Sequence, residues 1–350
     1  MAGPKHPAGG GRSGPTGHGP RRVTMSDVAK LAGVAPMTVS NCYRAPSRVH
    51  PETLAKVTAA AKKLGYVRNL VAGGLASGRS QVIGVLVPSL QNSNFAETIQ
   101  GLEDRLHALD YQLMLAVAST PEREYASVRT FIERRADGIV LTGVEHDHPT
   151  IDLLRSTGLP VVETWSLRGP FIDMGVGFSL YDAAREMAAL MVERGYRRIG
   201  FAGFNPPQTA RFHERQRGFQ DAMKAAGLRS DLLAYADQSA GFAAGRIALD
   251  ALLAEEPELD GLFCVTDILA AGAIFECARR RWAVPGRLGI VGYGNYEIAS
   301  EMTPKLTTVS TPGYEMGVAA ADMLVGRLNG DVPRERVRDV GYALTLRDSL

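Results

Sequence analysis

Seven nearly continuous apolar runs occupy the chain after residue 80, and they constrain the fold more than any other feature of the sequence. They are VIGVLVPS (82–89), YQLMLAVA (111–118), GIVLTG (138–143), PVVETW (160–165), RIGFAGF (198–204), GLFCVTD (261–267) and LGIVGYG (288–294). Amphipathic stretches with helical spacing separate most of them, at 95–109, 125–134, 183–194 and 215–226. Apolar strands that alternate with helices are typical of parallel sheets covered on both faces. The sequence therefore predicts an α/β fold with two lobes of roughly 130 residues each.

Candidate binding residues follow from this prediction, because ligands in open α/β sheets bind outside the carboxyl ends of the strands. The residues at or just after these ends are Ser89, Asn94, Phe95, Thr142, Trp165, Thr266, Asp267, Gly294 and Asn295. Two of them have an alternative role, since Phe95 could belong to the core and Trp165 could be a buried structural residue rather than a platform for a polyol.

The first quarter of the chain has a different pattern. Residues 1–22 form a Gly- and Pro-rich tail with too little apolar surface to fold. The spacing then predicts three short helices over 26–32, 36–43 and 51–64, with Thr24 and Asp27 as a capping-box start. Seven apolar side chains are expected to share one small core: Val28, Leu31, Val34, Val39, Leu54, Val57 and Leu64.

Charge is divided unevenly between these parts. Residues 1–80 contain twelve lysines and arginines and two acidic residues, a local balance of +10, whereas the remaining 270 residues sum to −8. The whole-chain value of +2 conceals this difference. A basic head on an acidic body indicates that the head binds a polyanion and that the body has another task.

The second helix of the head is predicted to show polar residues outward, across a tight turn from the first helix. This is the geometry that enters a DNA major groove. Asn41 is suited to adenine, and Pro36 and Met37 to thymine methyl groups. The other candidate DNA contacts are Thr24, Ser26, Thr38, Ser40, Arg44 and Arg48, with Lys30, Lys56, Lys62 and Lys63 on phosphates. The alternative is a helical protein-docking module with a solvated basic face.

The sequence argues against several classes of protein. No run of 18 uncharged apolar residues occurs, and the first twenty residues lack the apolar region of a secretory signal. Cys42, Cys264 and Cys277 are odd in number and scattered, which argues against a disulfide framework or a zinc cluster. The sequence predicts a cytoplasmic protein without a membrane span.

The head motif VTMSDVAKLAGVAPMTVS, followed by GY and N, resembles the headpiece of the lactose-repressor (LacI/GalR) family of bacterial transcription factors. The rest of the chain resembles that family's core, which is similar to periplasmic sugar-binding proteins. The resemblance covers about residues 23–350 and implies a two-lobed effector-binding body. It also implies a hinge at 69–77, which in the family forms a short helix on DNA, with Asn69, Leu75 and Ala76 as contacts. Leu75 aligns with the leucine that the family inserts between base steps; its alternative role is that of an ordinary linker residue.

Two departures from the family pattern are present in the head. Arg68 stands where the family often has proline, and Asn41 stands where many relatives carry arginine. The first is suited to an extra phosphate contact, and the second leaves open which base is read at that position.

An enzymatic role for the body finds no support in its motifs. GxGxxG, P-loop, GxSxG and HExxH are missing from the strand–helix junctions. His146-Asp147-His148 has the spacing of metal ligands, but it lies in a polar loop before Pro149, where solvated side chains are expected. We expect no catalytic site, no metal and no cofactor. A sensor is favoured over a free-standing sugar-binding protein of transport, which would need export and would have no use for a basic head.

The effector class is suggested by Arg211 and Arg215, four residues apart on a predicted helix. Paired guanidinium groups suit a carboxylate or phosphate, although Glu214 could instead neutralise them. The resemblance places Arg215 at the family's effector-contacting arginine. It also places GYG (292–294) where relatives that bind cyclic sugars have GYD. SLQNSNFAE, MGVGF and FEC…VP resemble the gluconate-utilisation repressor branch, which favours gluconate or a related sugar acid.

The sequence as a whole predicts a homodimeric transcriptional regulator, a repressor that binds a pseudo-palindromic operator. A small carbohydrate effector is expected to release it from the operator or to change its affinity for the operator. The domain limits expected are a tail at 1–22, a headpiece at 23–68, a hinge at 69–80 and a core at 81–350. Lobe one of the core takes about 81–178 and 311–338, and lobe two takes 179–310 and 339–350. The alternatives are a regulator that responds to a neutral sugar or a sugar phosphate, and a sugar-binding protein without a regulatory role.

Overall fold

The structure is a computed structural model, and it describes residues 23–67, 79–90, 93–205, 210–237, 239, 241–331 and 335–350. The chain divides into two compact units, Met1–Gly78 and Arg79–Leu350, which are called here the head and the core unit. The predicted hinge contacts Asn69, Leu75 and Ala76 lie outside the described residues.

The head contains the three predicted helices, and each boundary lies within one residue of its prediction. They are α1 (Met25–Ala32), α2 (Pro36–Arg44) and α3 (Pro51–Leu64), with a short 3₁₀ turn at Pro46–Arg48. The capping box is confirmed, because the Asp27 backbone N–H donates to the Thr24 hydroxyl while the Asp27 carboxylate accepts from the Thr24 N–H. Gly33 adopts a φ of 67° in the turn between α1 and α2, a conformation that glycine reaches without strain.

The core of the head includes six of the seven predicted side chains. Val28, Val39 and Val57 are buried, and Val34, Leu54 and Leu64 pack partly buried against them. The prediction for Leu31 is wrong, because 46% of this residue is exposed. Leu31 lies about 110° around α1 from the middle of the buried Val28–Ala29 face, so it points away from the other helices.

The first sheet of the core unit contains six strands, all parallel, in the order β11-β5-β4-β3-β1-β2. The strands are β1 (Val82–Val87), β2 (Gln112–Val117), β3 (Gly138–Thr142), β4 (Val161–Thr164), β5 (Met174–Gly177) and β11 (Val337–Asp339). β4 and β5 are buried throughout, as expected of strands covered on both faces.

The second sheet also contains six strands, in the order β12-β10-β9-β8-β6-β7, and only the edge strand β12 is antiparallel. The strands are β6 (Ile199–Asn205), β7 (Leu233–Asp237), β8 (Gly261–Cys264), β9 (Gly289–Gly294), β10 (Thr307–Ser310) and β12 (Ala343–Thr345). The predicted α/β fold with parallel sheets is therefore confirmed.

Helices cover both sheets. They are α4 (Ser93–Ala108), α5 (Pro121–Glu133), α6 (His148–Thr157), α7 (Leu180–Glu193), α8 (Ala210–Ala225), α9 (Phe242–Glu255), α10 (Asp267–Arg279), α11 (Glu297–Glu301) and α12 (Gly313–Leu328). Four of them, α4, α5, α7 and α8, begin two to five residues before the predicted start. The described part of the chain holds no helix with the length and apolar character needed to cross a membrane.

The chain passes between the two sheets three times, after β5, after β10 and between β11 and β12. These connections divide the core unit into two lobes, one around each sheet. Helices α9 and α10 approach closely within the second lobe. A Cβ atom on Gly272 would lie 1.9 Å from the carbonyl oxygen of Phe242, so only glycine permits this contact.

The Ser179 side chain caps α7, the helix that follows the first passage between the lobes. Its hydroxyl accepts from the Asp182 N–H at 3.1 Å and donates to the Asp182 carboxylate. We expect Ser179→Ala to lower the free energy of unfolding by about 1 kcal/mol, since an orphan N–H loses its partner. Ser300→Ala is the matched control, because the Ser300 hydroxyl donates to the Glu297 carbonyl and the Glu301 carboxylate and caps no backbone N–H. Urea denaturation measures the free energy of unfolding of both variants. Equal urea midpoints for Ser179→Ala and Ser300→Ala would contradict the prediction.

Candidate functional site

The outer face of α2 carries the predicted DNA contacts. Met37 is 68% exposed, Asn41 and Arg44 are exposed at the following turns, and Val39 and Cys42 are buried on the opposite face. Pro36 and Arg48 are also exposed, whereas Thr38 and Ser40 are partly buried. The spacing of Met37, Asn41 and Arg44 places them on one side of the helix, where a groove of DNA can be read.

Around this face the head is basic. The four lysines expected on phosphates, Lys30, Lys56, Lys62 and Lys63, are all exposed. Ser26 and Thr24 are exposed at the start of α1, but the Thr24 hydroxyl already takes part in the capping box and donates to Asp27. Because its N–H also donates to the Asp27 carboxylate, Thr24 offers DNA its methyl group more readily than its N–H or its hydroxyl hydrogen.

In the core unit a cavity of about 210 Å³ lies between the strand ends of the first lobe and the start of α8 in the second. Its lining consists of Pro88, Ala118, Ser119, Thr120, Pro121, Glu124, Thr142, Gly143, Val144, Glu145, Asp147, Ser166, Ala210 and Arg211. The carboxyl ends of β1, β2, β3 and β4 all contribute to it. This position agrees with the rule that ligands bind at the carboxyl edge of parallel sheets.

Arg211 is the one basic side chain among these lining residues, and it comes from the second lobe. Its guanidinium carbon lies 5.2 Å from the centre of the Phe95 ring in the first lobe. Burial and the neighbouring charge of Arg215 lower the pKa of Arg211 to about 10, and Glu145 acts in the opposite direction. A guanidinium that is costly to keep charged is a favourable partner for an anion that enters the cavity.

Arg215 lies one turn further along α8 and is only 7% exposed. Its Nη1 donates to the Val265 carbonyl at 2.7 Å, and its guanidinium carbon lies 4.9 Å from the centre of the Tyr293 ring. Burial lowers the pKa of Arg215. The two arginines thus share a helix face as predicted, but Arg211 lines the cavity while Arg215 ties α8 to the second sheet.

The acidic partner of Arg211 differs from the one that the sequence suggested. Glu214 interacts with Arg168 and Arg217, and burial raises its pKa. Glu145, in the loop after β3, instead faces Arg211 and accepts a hydrogen bond from the Ala210 N–H at 2.5 Å.

The predicted residues at the strand ends of the second lobe form a hydrogen-bonded network. The Asp267 carboxylate accepts from the Thr308 hydroxyl at 2.5 Å and from the Tyr296 N–H at 2.7 Å, and burial raises its pKa to about 6. Thr266 caps α10. Asn295, which follows Gly294, has a φ of 55°, and its Oδ1 accepts a hydrogen bond from the Arg347 guanidinium at 2.7 Å. These residues are not among those that line the described cavity.

Of the first-lobe candidates, Thr142 is among the residues that line the cavity, whereas Ser89, Phe95 and Trp165 are not. Thr142 lines it while its hydroxyl donates to the Leu86 carbonyl at 3.0 Å. Phe95 packs edge-to-face on Trp165 with ring centres 5.6 Å apart. Trp165 has a φ of 68°, an uncommon conformation for a bulky residue, and its buried Nε1 lacks a hydrogen-bond partner among the described residues. Ser89 is partly exposed, and Asn94 belongs to the first turn of α4.

Several lining residues were missed, namely Ser119, Thr120, Glu124, Glu145, Asp147 and Ser166. Most directly follow β2, β3 or β4, so the strand-end rule would have found them if extended beyond the last residue of each strand. The expectation of a solvated His146 is wrong, because its side chain is 1% exposed. Within the described ranges, no group of three or more His, Cys, Asp or Glu residues is placed to hold a metal ion.

Comparison with known proteins agrees with this arrangement. The family described as "Bacterial regulatory proteins, lacI family" matches residues 24–69, and a "Periplasmic binding protein-like domain" matches residues 188–350. The HTH-type transcriptional regulator GntR of Escherichia coli K12 is 36% identical over 93% of this chain and 98% of its own length. The chain belongs to the lacI family of bacterial regulatory proteins. As a lacI-family member it is a transcriptional regulator with a helix-turn-helix DNA-binding head.

Other lacI-family relatives extend over nearly the whole chain. The HTH-type transcriptional regulator IdnR of Escherichia coli K12 is 34% identical over 92% of this chain and 97% of its own length. Among solved structures, a LacI-family transcriptional regulator from Silicibacter pomeroyi has a TM-score of 0.86 at 33% identity, and the match covers 93% of this chain and 99% of the other. The transcription regulator GntR from Chromobacterium violaceum has a TM-score of 0.73 at 37% identity over 77% and 98% of the two chains.

Proposed function

We propose that this lacI-family regulator is a cytoplasmic homodimer that represses a sugar-acid catabolic operon and responds to a gluconate-like effector. The chain would act through four parts: a tail at 1–22, a headpiece at 23–68, a hinge at 69–80 and a core at 81–350. The core unit binds its ligand without transforming it. The observation that carries the effector class is Arg211, the basic side chain that faces the cavity.

The head supports DNA binding through its exposed α2 face and its charge. A dimer presents two such heads, and a two-fold protein requires a pseudo-palindromic operator. The lac repressor structure that resembles this chain is described as a dimer bound to operator. In the hinge we propose that Leu75 is the apolar wedge between base steps and that Asn69 and Ala76 contact the same groove.

The cavity supports a polyhydroxy anion rather than an uncharged sugar. Arg211 can form a forked pair with a carboxylate, and hydroxyl groups find acceptors in the lining residues Glu124, Glu145 and Asp147. Gly294 provides no carboxylate at the position where the family's binders of cyclic sugars have one. The similarity to GntR and IdnR agrees with the resemblance to the gluconate-utilisation branch.

The lobes meet across this cavity through the Ala210–Glu145 hydrogen bond and the Arg211–Phe95 contact. A ligand between them changes the relative position of the lobes and therefore the state of the dimer that binds operator. Such coupling is typically about 1–3 kcal/mol, and it is reciprocal between the two ligands.

A thermal-shift screen with D-gluconate, D-glucose and D-gluconate 6-phosphate, repeated with selected operator DNA, tests the proposal. We expect gluconate to raise Tm, operator to raise Tm, and their combined effect to fall short of additive because each weakens the other. A shift with glucose alone would contradict the anionic effector, and a shift with the phosphate alone would indicate a sugar-phosphate regulator. No shift with any DNA would favour a binding protein without a regulatory role.

A further inference from the structure

Three successive residues anchor the loop between β3 and α6, which forms one wall of the cavity. Glu145 reaches across to the Ala210 N–H of the second lobe. Asp147 caps α6 by accepting from the Thr150 N–H at 3.0 Å. His146, between them, is not among the cavity-lining residues, and its side chain is buried in the first lobe.

His146 lies between two carboxylates from different elements. Its Nδ1 is 2.6 Å from Oε1 of Glu124 on α5, and its Nε2 is 3.4 Å from Oε1 of Glu163 on β4. Glu163 is fully buried, and its other oxygen accepts from the Ile172 N–H at 2.6 Å. Glu124 also lines the cavity. The imidazole therefore joins the β3–α6 loop to α5, which forms another part of the cavity wall, and to β4 of the first sheet.

The geometry favours a charged imidazole. A carboxylate only accepts hydrogen bonds, so Nδ1 carries a hydrogen towards Glu124. Neither Nε2 nor the facing Glu163 oxygen has a hydrogen-bond partner among the described residues, and a neutral ring would set a lone pair against that oxygen. Burial alone would lower the pKa of His146, but the hydrogen bond with Glu124 and the charges of Glu124 and Glu163 raise it from 6.5 to about 9.

We propose that His146, as an imidazolium, is a positioning residue that holds the β3–α6 loop against α5 and β4 and thereby sets the wall of the effector cavity. Loss of the charge leaves two carboxylates facing an uncharged ring, and the loop that carries Glu145 is released. The pKa of His146 is higher in the folded protein than in the unfolded chain. The charged contact of His146 with Glu124 and Glu163 is therefore complete below about pH 6.5 and is lost as pH rises through about 9. This inference rests on the proposed function only in assigning the cavity to the effector.

The test compares full-length wild-type protein with His146→Gln, and uses His107→Gln, which changes an exposed histidine on α4, as the matched control. Hydrogen–deuterium exchange of residues 142–147 should be faster in His146→Gln and unchanged in His107→Gln. The dissociation constant for D-gluconate, measured by titration calorimetry, should rise about tenfold in His146→Gln, as expected from a lost charge-assisted contact. The wild-type constant should also rise as pH passes through about 9, and more steeply than that of His146→Gln, in which only Arg211, with a pKa of about 10, loses charge at the cavity.

A direct NMR titration of the His146 ring in the wild type keeps the inference testable if His146→Gln fails to fold. A pKa above 8 supports it, and an ordinary value near 6.5 overturns it. Unchanged exchange of the loop in a folded His146→Gln would also overturn it. If wild-type protein does not bind gluconate, the proposed effector is wrong, while the exchange and the ring titration still decide the role of His146.

Discussion

Replacing Arg211 with glutamine should weaken gluconate binding by about 100-fold, because a buried charge-assisted pair contributes roughly 1.5–3 kcal/mol. Glutamine keeps part of the apolar stem and an amide, but it removes the charged guanidinium, whose carbon lies 5.2 Å from the centre of the Phe95 ring. Stability should not fall, since burial and Arg215 already make the Arg211 charge unfavourable, as its pKa of about 10 shows. Titration calorimetry with gluconate and with glucose measures the change, and urea denaturation measures stability.

Arg217→Gln is the matched control for this prediction. Arg217 is exposed on the same helix, and its guanidinium carbon lies 5.0 Å from the centre of the Tyr181 ring rather than at the cavity. The Arg217→Gln variant should bind gluconate with the affinity of the wild-type protein. If Arg211→Gln also left gluconate affinity unchanged, the carboxylate would have to be held elsewhere, with Arg215 the next candidate. Equal losses for gluconate and glucose would mean that Arg211 shapes the cavity without recognising charge.

The sequence predicted the three head helices and seven of the twelve described strands, because their physical signals are local, and it missed β5, β7, β10, β11 and β12. Strands buried on both faces, such as β8 with the sequence GLFC, read as apolar runs. The head helices begin at proline or at a capping threonine, which mark a helix start directly. The short strands β11 and β12 carry no such signal, since their residues are at most partly buried and their pairing depends on contacts with distant strands.

The candidate site was predicted less completely, because side-chain partners are set by tertiary structure. Arg211 and Arg215 look alike in sequence, yet one lines the cavity and the other bonds to the Val265 carbonyl 50 residues away. His146 was expected in solvent because its neighbours are polar. Its burial depends on Glu124 and Glu163, which are distant in sequence and join it only through the packing of α5 and β4.

Replacing Asn41 with alanine should weaken binding to the selected operator by about 10- to 100-fold, since a bidentate contact to a base contributes roughly 1–3 kcal/mol of discrimination. Asn41 is exposed on α2, and alanine is the better helix former, so the head should remain folded. Fluorescence anisotropy with the selected operator and with variants at each half-site position measures the change. Loss of discrimination should be confined to one base pair.

Lys56→Ala provides the contrast that separates reading of bases from attraction to phosphates. Lys56 is exposed on α3, and its loss should weaken binding to every DNA sequence alike and reduce the salt dependence by about one phosphate contact. Asn41→Ala should leave the salt dependence unchanged, because no phosphate contact is lost. If Asn41→Ala instead weakened binding to all DNA sequences equally, the exposed face of α2 would contact the phosphate backbone of DNA. Sequence recognition would then have to come from another part of the chain.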